Sequence, residues 1–150
     1  MKRGTDYIGV GVGAVIVNKE GKILLTLRGK QAQNQVGKWE CPGGAVEFNE
    51  TLKDTILREV KEELDIEIEI IELLGIADDI LPFEKQHWVA PSFLCKIKKG
   101  TPKNLEPHKC EKIEWFTLNE ARKLDLSIAT QQTIRFLLQK HPNLSQTLTP

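Results

Sequence analysis

Apolar and polar residues change their spacing along this chain, and each change marks an element. From Ile8 to Val17 valine, isoleucine and glycine run almost unbroken, and Lys22 to Leu27 is a second β-rich run. Asn18-Lys19-Glu20-Gly21 between them predicts a hairpin. Gly29 to Lys38 is polar and glutamine-rich and reads as a loop; Trp39 to Pro42 reads as a short strand before a glycine turn at Gly43-Gly44. The pattern then becomes helical. At about 100° per residue, Leu52, Ile56, Leu57, Val60 and Leu64 fall on one side of a helix from about Thr51 to Leu64 and form its buried stripe. Thr51 with Asp54 three residues on, or else Asn49, supplies the N-cap. Ile66 to Ile80 alternates apolar and acidic residues as a long strand, paired through the Leu81-Pro82-Phe83-Glu84 turn with a strand from His87 to Ile97. After a Pro/Gly/Lys loop, Lys98 to Lys109, come a strand at Lys112 to Leu118 and helices at Asn119 to Leu124 and Ser127 to Gln139. This order predicts a mixed α+β domain spanning 1–150, with about 143–150 as a flexible tail.

The helix carries the most pointed chemistry. Glu59 and Glu63 project beside the apolar stripe and Glu62 one step further out, while Lys61 and Asp54 face solvent. Like charges at i, i+4 cost roughly a few tenths of a kcal/mol on an exposed helix, and more as water is removed. A hard divalent cation reverses that sign, because Mg²⁺ favours carboxylate oxygen, keeps several waters and binds substrate phosphates. The competing reading is a solvated acidic face neutralised by Arg58 and Lys61. The glycine pair, free to bring backbone oxygens close, and Glu50 in register favour the cation.

Composition removes other classes. In 150 residues, 21 lysines and arginines balance 21 acids, which argues against a basic nucleic-acid or membrane-surface binder. The basic start before an apolar run imitates a signal peptide, but glycines interrupt it and no small-residue cleavage site follows. Nor does any apolar stretch approach the roughly 20 residues of a membrane span. Cys41, Cys95 and Cys110 lack CxxC spacing and read as reduced thiols of a cytoplasmic protein, Cys41 as a small core residue. His87, His108 and His141 form no metal-ligand pair.

The spacing Gly44, five residues, Glu50, seven residues, Arg58-Glu59-Val60-Lys61-Glu62-Glu63 resembles the Nudix box at every defined position but one. Asp65 stands where that family has the glycine that ends the helix, and Asp tolerates the left-handed conformation better than most residues. The resemblance implies the Nudix fold, a mixed curved β-sheet sandwiched between α-helices. It also implies water attack on phosphorus in a nucleoside diphosphate linked to another group, with Mg²⁺, or Mn²⁺ in its place. By that analogy Glu59, Glu62, Glu63 and the Gly43 backbone oxygen hold the metal. Glu62, Glu63, Arg58 and Glu50 form the catalytic set, with Glu50 and Arg58 orienting the helix and its carboxylates. The general base is an acid of this helix or a loop glutamate, Glu106 or Glu111, with Glu84 in another turn.

Pro102 to Glu111 with Glu114-Trp115, Gly9-Val10-Gly11-Val12, and Pro42-Gly43-Gly44 to Glu47-Phe48 are similar to the MutT-like subgroup. That similarity implies nucleoside triphosphates, deoxy or modified, as small-molecule substrates cleaved to monophosphate and pyrophosphate. It places the base near Ser127, Ile128 and Ala129, against Phe48, Trp88 or Trp115. Subgroup members are often dimeric, and a homodimer is expected on that ground. Two family variants compete: Pro82 echoes ADP-ribose or nucleotide-sugar hydrolases, and Leu24 to Arg28 echoes coenzyme A-cleaving members. A non-catalytic nucleotide sensor would have lost motif glutamates, which this chain keeps. An RNA-end pyrophosphohydrolase calls for a basic groove, which the neutral balance opposes.

Overall fold

The computed structural model describes residues 1–144. A four-stranded sheet has the order β4-β1-β6-β5 and a three-stranded sheet the order β3-β2-β7. The first comprises β1 (Gly9–Ile16), β4 (Gly43–Ala45), β5 (Glu67–Leu81) and β6 (Gln86–Lys99). It is mixed, since β1 runs parallel to β6 while β4 and β5 run antiparallel to their neighbours. The second comprises β2 (Ile23–Arg28), β3 (Trp39–Glu40) and β7 (Cys110–Phe116), all antiparallel. The helices are α1 (Leu52–Leu64), α2 (Leu118–Ala121) and α3 (Ile128–Lys140). None is long and apolar enough to cross a membrane among the described residues.

The expected hairpin keeps its turn but not its ladder. The Asn18 N–H donates to the Lys22 carbonyl and the Gly21 N–H to the Asn18 carbonyl, both at 3.0 Å. Beyond the antiparallel Val17–Ile23 bridge, β1 enters one sheet and β2 the other. The reason lies in β1 itself. Val12, Ala14 and Ile16 pack with Ile56, Val60 and Leu64 of α1. Val15 and Val17 pack on the opposite side with Leu94 and with Ile134 and Leu137 of α3. A strand buried on both faces reads as a continuous apolar run, which is what Ile8 to Val17 shows. The glycine pair, expected as a turn, is instead β4, with Gly43 and Gly44 opposite Gly13 and Val12 of β1.

Helix α1 starts and stops as its sequence asks. Thr51 accepts the Asp54 N–H at 3.0 Å, while Asn49 takes a positive φ outside the helix. Asp65 ends it at φ 57° and ψ 40°, its N–H returning to the Lys61 carbonyl. The buried stripe differs from expectation: Leu52 and Leu57 are exposed, and Thr55 takes a fully buried place beside Ile56, Val60 and Leu64. Thr55 is tolerated there because its hydroxyl donates to the Thr51 carbonyl and to Glu50.

Helix α3 braces the outer edge of β5. The Gln132 side chain accepts the Asp78 N–H at 2.9 Å and donates to the Asp78 carbonyl at 2.7 Å. Lys140 donates to the Leu73 carbonyl, and His141 contacts Glu72. Of the expected tail, Leu144 is buried in the core with Leu137, so the body of the protein reaches that far; 145–150 lie outside the described residues.

Candidate active site

Because β1 and β2 diverge from the Val17–Ile23 bridge, a cavity of ≈ 430 Å³ opens between Gly11 to Gly13 on one strand and Thr26 to Arg28 on the other. Glu59, Glu62 and Glu63 reach it from α1, and Gly43 and Gly44 from β4. Loop 100–109 brings in Glu106 because it is laced to the end of α1. The Lys103 N–H donates to the Leu64 carbonyl at 2.9 Å, and the Leu105 N–H to the Glu63 carbonyl at 3.0 Å.

One guanidinium organises the helix acids. Arg58 donates through Nε and Nη2 to both oxygens of Glu50, at 2.7 and 2.8 Å, the forked geometry of strong pairs. Its Nη1 donates to Glu59 at 2.9 Å and to Glu62 at 3.2 Å. Glu50 also accepts the Glu47 N–H and the Thr55 hydroxyl, so it anchors Arg58, and Arg58 in turn holds Glu59 and Glu62. Neither Glu50 nor Arg58 lines the cavity; both act from behind it.

The two glycines have different reasons: a Cβ on Gly43 would fall 1.8 Å from the Val12 carbonyl oxygen, and Gly44 makes room for a side chain. A Cβ there would fall 2.3 Å from the Glu59 carboxyl carbon, so this carboxylate occupies the space a side chain would fill. Burial raises the Glu59 carboxyl above its ordinary value against the pull of Arg58. Burial holds Glu63 well above its ordinary value too, followed by the charges of Glu40, Glu59 and Glu106. Among the described residues no three acidic, histidine or cysteine side chains already converge on one centre. Glu59 and Glu62 lean instead onto Arg58. The donor set still suits a hard divalent cation. It is all carboxylate, partly desolvated and mutually repulsive, and a positive ion is what lowers its energy.

Glu50 behaves in the opposite way. The Arg58 hydrogen bonds, then the Glu47 N–H, pull its pKa down to about 2. A depressed carboxyl stabilises the fold above its unfolded pKa, and that contribution disappears as pH falls towards the folded value. The stability gap between wild type and Glu50→Gln should therefore be full above about pH 4.5 and close as pH falls to about 2. Urea midpoints across that window measure it, and a gap unchanged with pH would contradict this reading.

The structure sorts the other expected residues. Trp88, Ser127, Ala129 and Glu106 line the cavity, and Cys41 does as well. Burial pushes the Cys41 thiol up to about 12, which leaves it an inert wall. Ser127 caps α3, its hydroxyl donating to Thr130 Oγ1 at 2.8 Å. Ile128 stays outside, its N–H donating to Gln35. Phe48 is 93% exposed and does not join the cavity; Glu111 and Glu84 are exposed elsewhere, and Trp115 packs behind with the α1 core. Pro82 sits in the β5–β6 turn and is not part of this wall.

The lining residues to which the sequence reading gives no role include Glu40, Asp79 and Ser92, and Arg28 enters it only through its resemblance to another family variant. Arg28 donates to Glu40 at 2.6 Å and to the Asn34 carbonyl at 2.7 Å, tying loop 29–38 to the cavity wall. A signal for Asp79 was present. In a strand where Ala77 and Leu81 face inward, the residue between them at the same parity must face inward as well.

A NUDIX domain matches residues 8–137, and the chain belongs to the Nudix family. It is a MutT-like Nudix hydrolase. The CTP pyrophosphohydrolase of Escherichia coli K12 is 32% identical over 123 residues, 80% of this chain and 84% of that protein. An RNA pyrophosphohydrolase of Roseobacter denitrificans is 28% identical over 136 residues, 90% of this chain and 71% of that protein. The crystal structure of a MutT NUDIX hydrolase from Burkholderia pseudomallei superposes with a TM-score of 0.81 at 36% identity, covering 88% of this chain and 99% of that one. The chain spans 35% of the length of a putative nudix hydrolase from Caenorhabditis elegans, at 27% identity.

Proposed function

We propose that this protein hydrolyses nucleoside triphosphates, deoxy or modified, to the monophosphate and pyrophosphate. One observation carries the reading: Glu59, Glu62, Glu63 and Glu106 all line a ≈ 430 Å³ cavity that Trp88, Ala90 and the start of α3 line as well. That volume falls in the small-molecule range of about 300–1,000 Å³. An acidic wall repels a polyphosphate unless cations lie between them, so the arrangement favours a substrate that arrives with metal. Glu59, Glu63 and Glu62, with the Gly43 backbone oxygen, would hold Mg²⁺. When bound, it supplies neutralisation of the diphosphate and a more acidic water.

The chain's own residues do the rest. Glu50 and Arg58 fix the direction of Glu59 and Glu62. Glu63 and Glu106, both in the cavity lining, are the groups to which this reading gives the proton of the attacking water. Attack breaks one P–O anhydride bond and releases pyrophosphate.

A second reading, pyrophosphate removal from 5′-triphosphate RNA, takes support from the RNA pyrophosphohydrolase relative. The equal numbers of basic and acidic residues weigh against it. Chromatography of products after incubation with Mg²⁺ distinguishes them, using deoxynucleoside triphosphates, ADP-ribose and 5′-triphosphate RNA. Monophosphate plus pyrophosphate from free nucleotides is expected. Turnover confined to RNA or to ADP-ribose would replace the proposal.

A further inference from the structure

Two buried side-chain atoms, Asp79 Oδ1 and Ser92 Oγ, have no hydrogen-bond partner among the described residues. Both residues line the cavity. The β5–β6 register explains why they share a wall: Asp79 lies opposite Trp88, Ala77 opposite Ala90 and Gly75 opposite Ser92. Cross-strand partners present their side chains to the same face.

This wall is rigid. A Cβ on Gly9 would fall 2.5 Å from the Trp88 ring, so the indole rests directly on the β1 backbone. Its Nε1 donates to Gln86 at 2.9 Å. The Gln132 amide pins both backbone groups of Asp78, the neighbour of Asp79.

The nearby cation does not satisfy Asp79. Arg28 spends its Nη1 on Glu40 and its Nε on the Asn34 carbonyl, and it forms no ion pair with Asp79. Asp79 is only 9% exposed, and an unpaired buried carboxylate is costly. Burial raises its pKa even against the pull of the Arg28 charge. Among the described residues no hydrogen bond to Oδ1 offsets that cost, whereas a ligand with N–H groups would. The charge of Glu40 acts on Glu63, and the charge of Asp79 acts on Glu40 in turn.

We infer that Asp79 is a specificity-determining residue whose carboxylate accepts a hydrogen bond from the exocyclic amino group of a nucleobase. Ser92 Oγ is the second polar contact, and the Trp88 indole is the surface on which the base lies. The inference rests on the triphosphate reading. A carboxylate only accepts. Adenine, guanine and cytosine offer it an amino group. Hypoxanthine offers no 2-amino group, and uracil presents an oxygen where cytosine has its donor. A site built around a donor rejects the analogue lacking it strongly, because its own polar group is then left unpaired.

The test compares kcat/KM for dATP and dGTP with dITP and for dCTP with dUTP, in wild type, Asp79→Leu and Ser92→Ala. In wild type, at least one amino-bearing substrate should exceed its deaminated partner by about tenfold or more. That ratio should collapse towards one in Asp79→Leu, which removes the acceptor that asparagine would keep, and should fall in part in Ser92→Ala. The melting temperature of Asp79→Leu should equal or exceed that of wild type, because a buried unpaired charge has gone. Ratios near one for every wild-type pair, or a ratio unaltered by Asp79→Leu, would overturn the inference and leave triphosphate hydrolysis standing. So would a melting temperature lower by more than about 5 °C, which would make Asp79 a support of the fold. Absence of any triphosphate turnover would remove the reading beneath it, and the inference with it.

Discussion

Glu63→Gln is expected to retain the fold and lose on the order of 10³-fold in kcat, the equivalent of about 4 kcal/mol of transition-state stabilisation. Its carboxyl lies in the most strongly perturbed environment of the helix set, buried and facing Glu40, Glu59 and Glu106. The amide is nearly isosteric but carries no charge and cannot take a proton. It removes the attraction for a cation and the basicity for water in one step. Stability should move the other way, because a repulsive buried acid has been neutralised. The melting temperature without metal should rise slightly, and the further rise produced by Mg²⁺ should shrink. Unchanged turnover in Glu63→Gln would sink the metal assignment, and a collapse in melting temperature would mean that Glu63 serves the fold.

Gly44→Ala should be nearly as damaging although it adds only one methyl group. The new Cβ would lie 2.3 Å from the Glu59 carboxyl carbon, so the carboxylate has to leave its position. Moving it strains the Arg58 bond at 2.9 Å and turns the acid away from the cavity. A displacement of about 1 Å in a catalytic group can cost roughly 10²-fold, and a loss of that order in kcat is expected. The fold should survive, since a Glu59 side chain can swing where backbone could not. Combining Gly44→Ala with Glu59→Ala, which vacates the colliding group, separates the causes. If Gly44 acts through Glu59, the double variant is no worse than Glu59→Ala alone. Additive losses would point to a separate role for the β4 backbone.

These effects trace back to a helix legible in the sequence. The apolar spacing of Ile56, Val60 and Leu64 set its face, Thr51 its start, and Asp65 its left-handed end, so the acids had only one side on which to emerge. The β5–β6 hairpin was equally legible, because Leu81 to Glu84 separates two long β-rich runs. What local pattern did not reveal depended on distant partners. Ile8 to Val17 looked like half of a hairpin because both its faces are apolar. Only the arrival of α1 on one side and α3 on the other shows why. Phe48 looked like a ring for stacking but is 93% exposed, since hydrophobicity does not tell which way a loop points. Glu106 could be ranked above Glu111 only once the loop backbone was seen laced to the Glu63 and Leu64 carbonyls. Arg28 and Glu40 sit in separate strands, and their pairing belongs to tertiary geometry alone.

The clasp of Gln132 on Asp78 also affects how copies of this protein meet. Strand β5 is the longest in the molecule and forms the border of its sheet, where unpaired N–H and C=O groups ordinarily invite a strand from another chain. Here one side-chain amide imitates a neighbouring strand, donating and accepting at the same residue, and Lys140 takes the carbonyl of Leu73 further along. At those two residues the border is already closed from within. Two copies cannot continue one sheet through them without first dislodging α3, so strand pairing between copies along β5 would have to avoid these two positions.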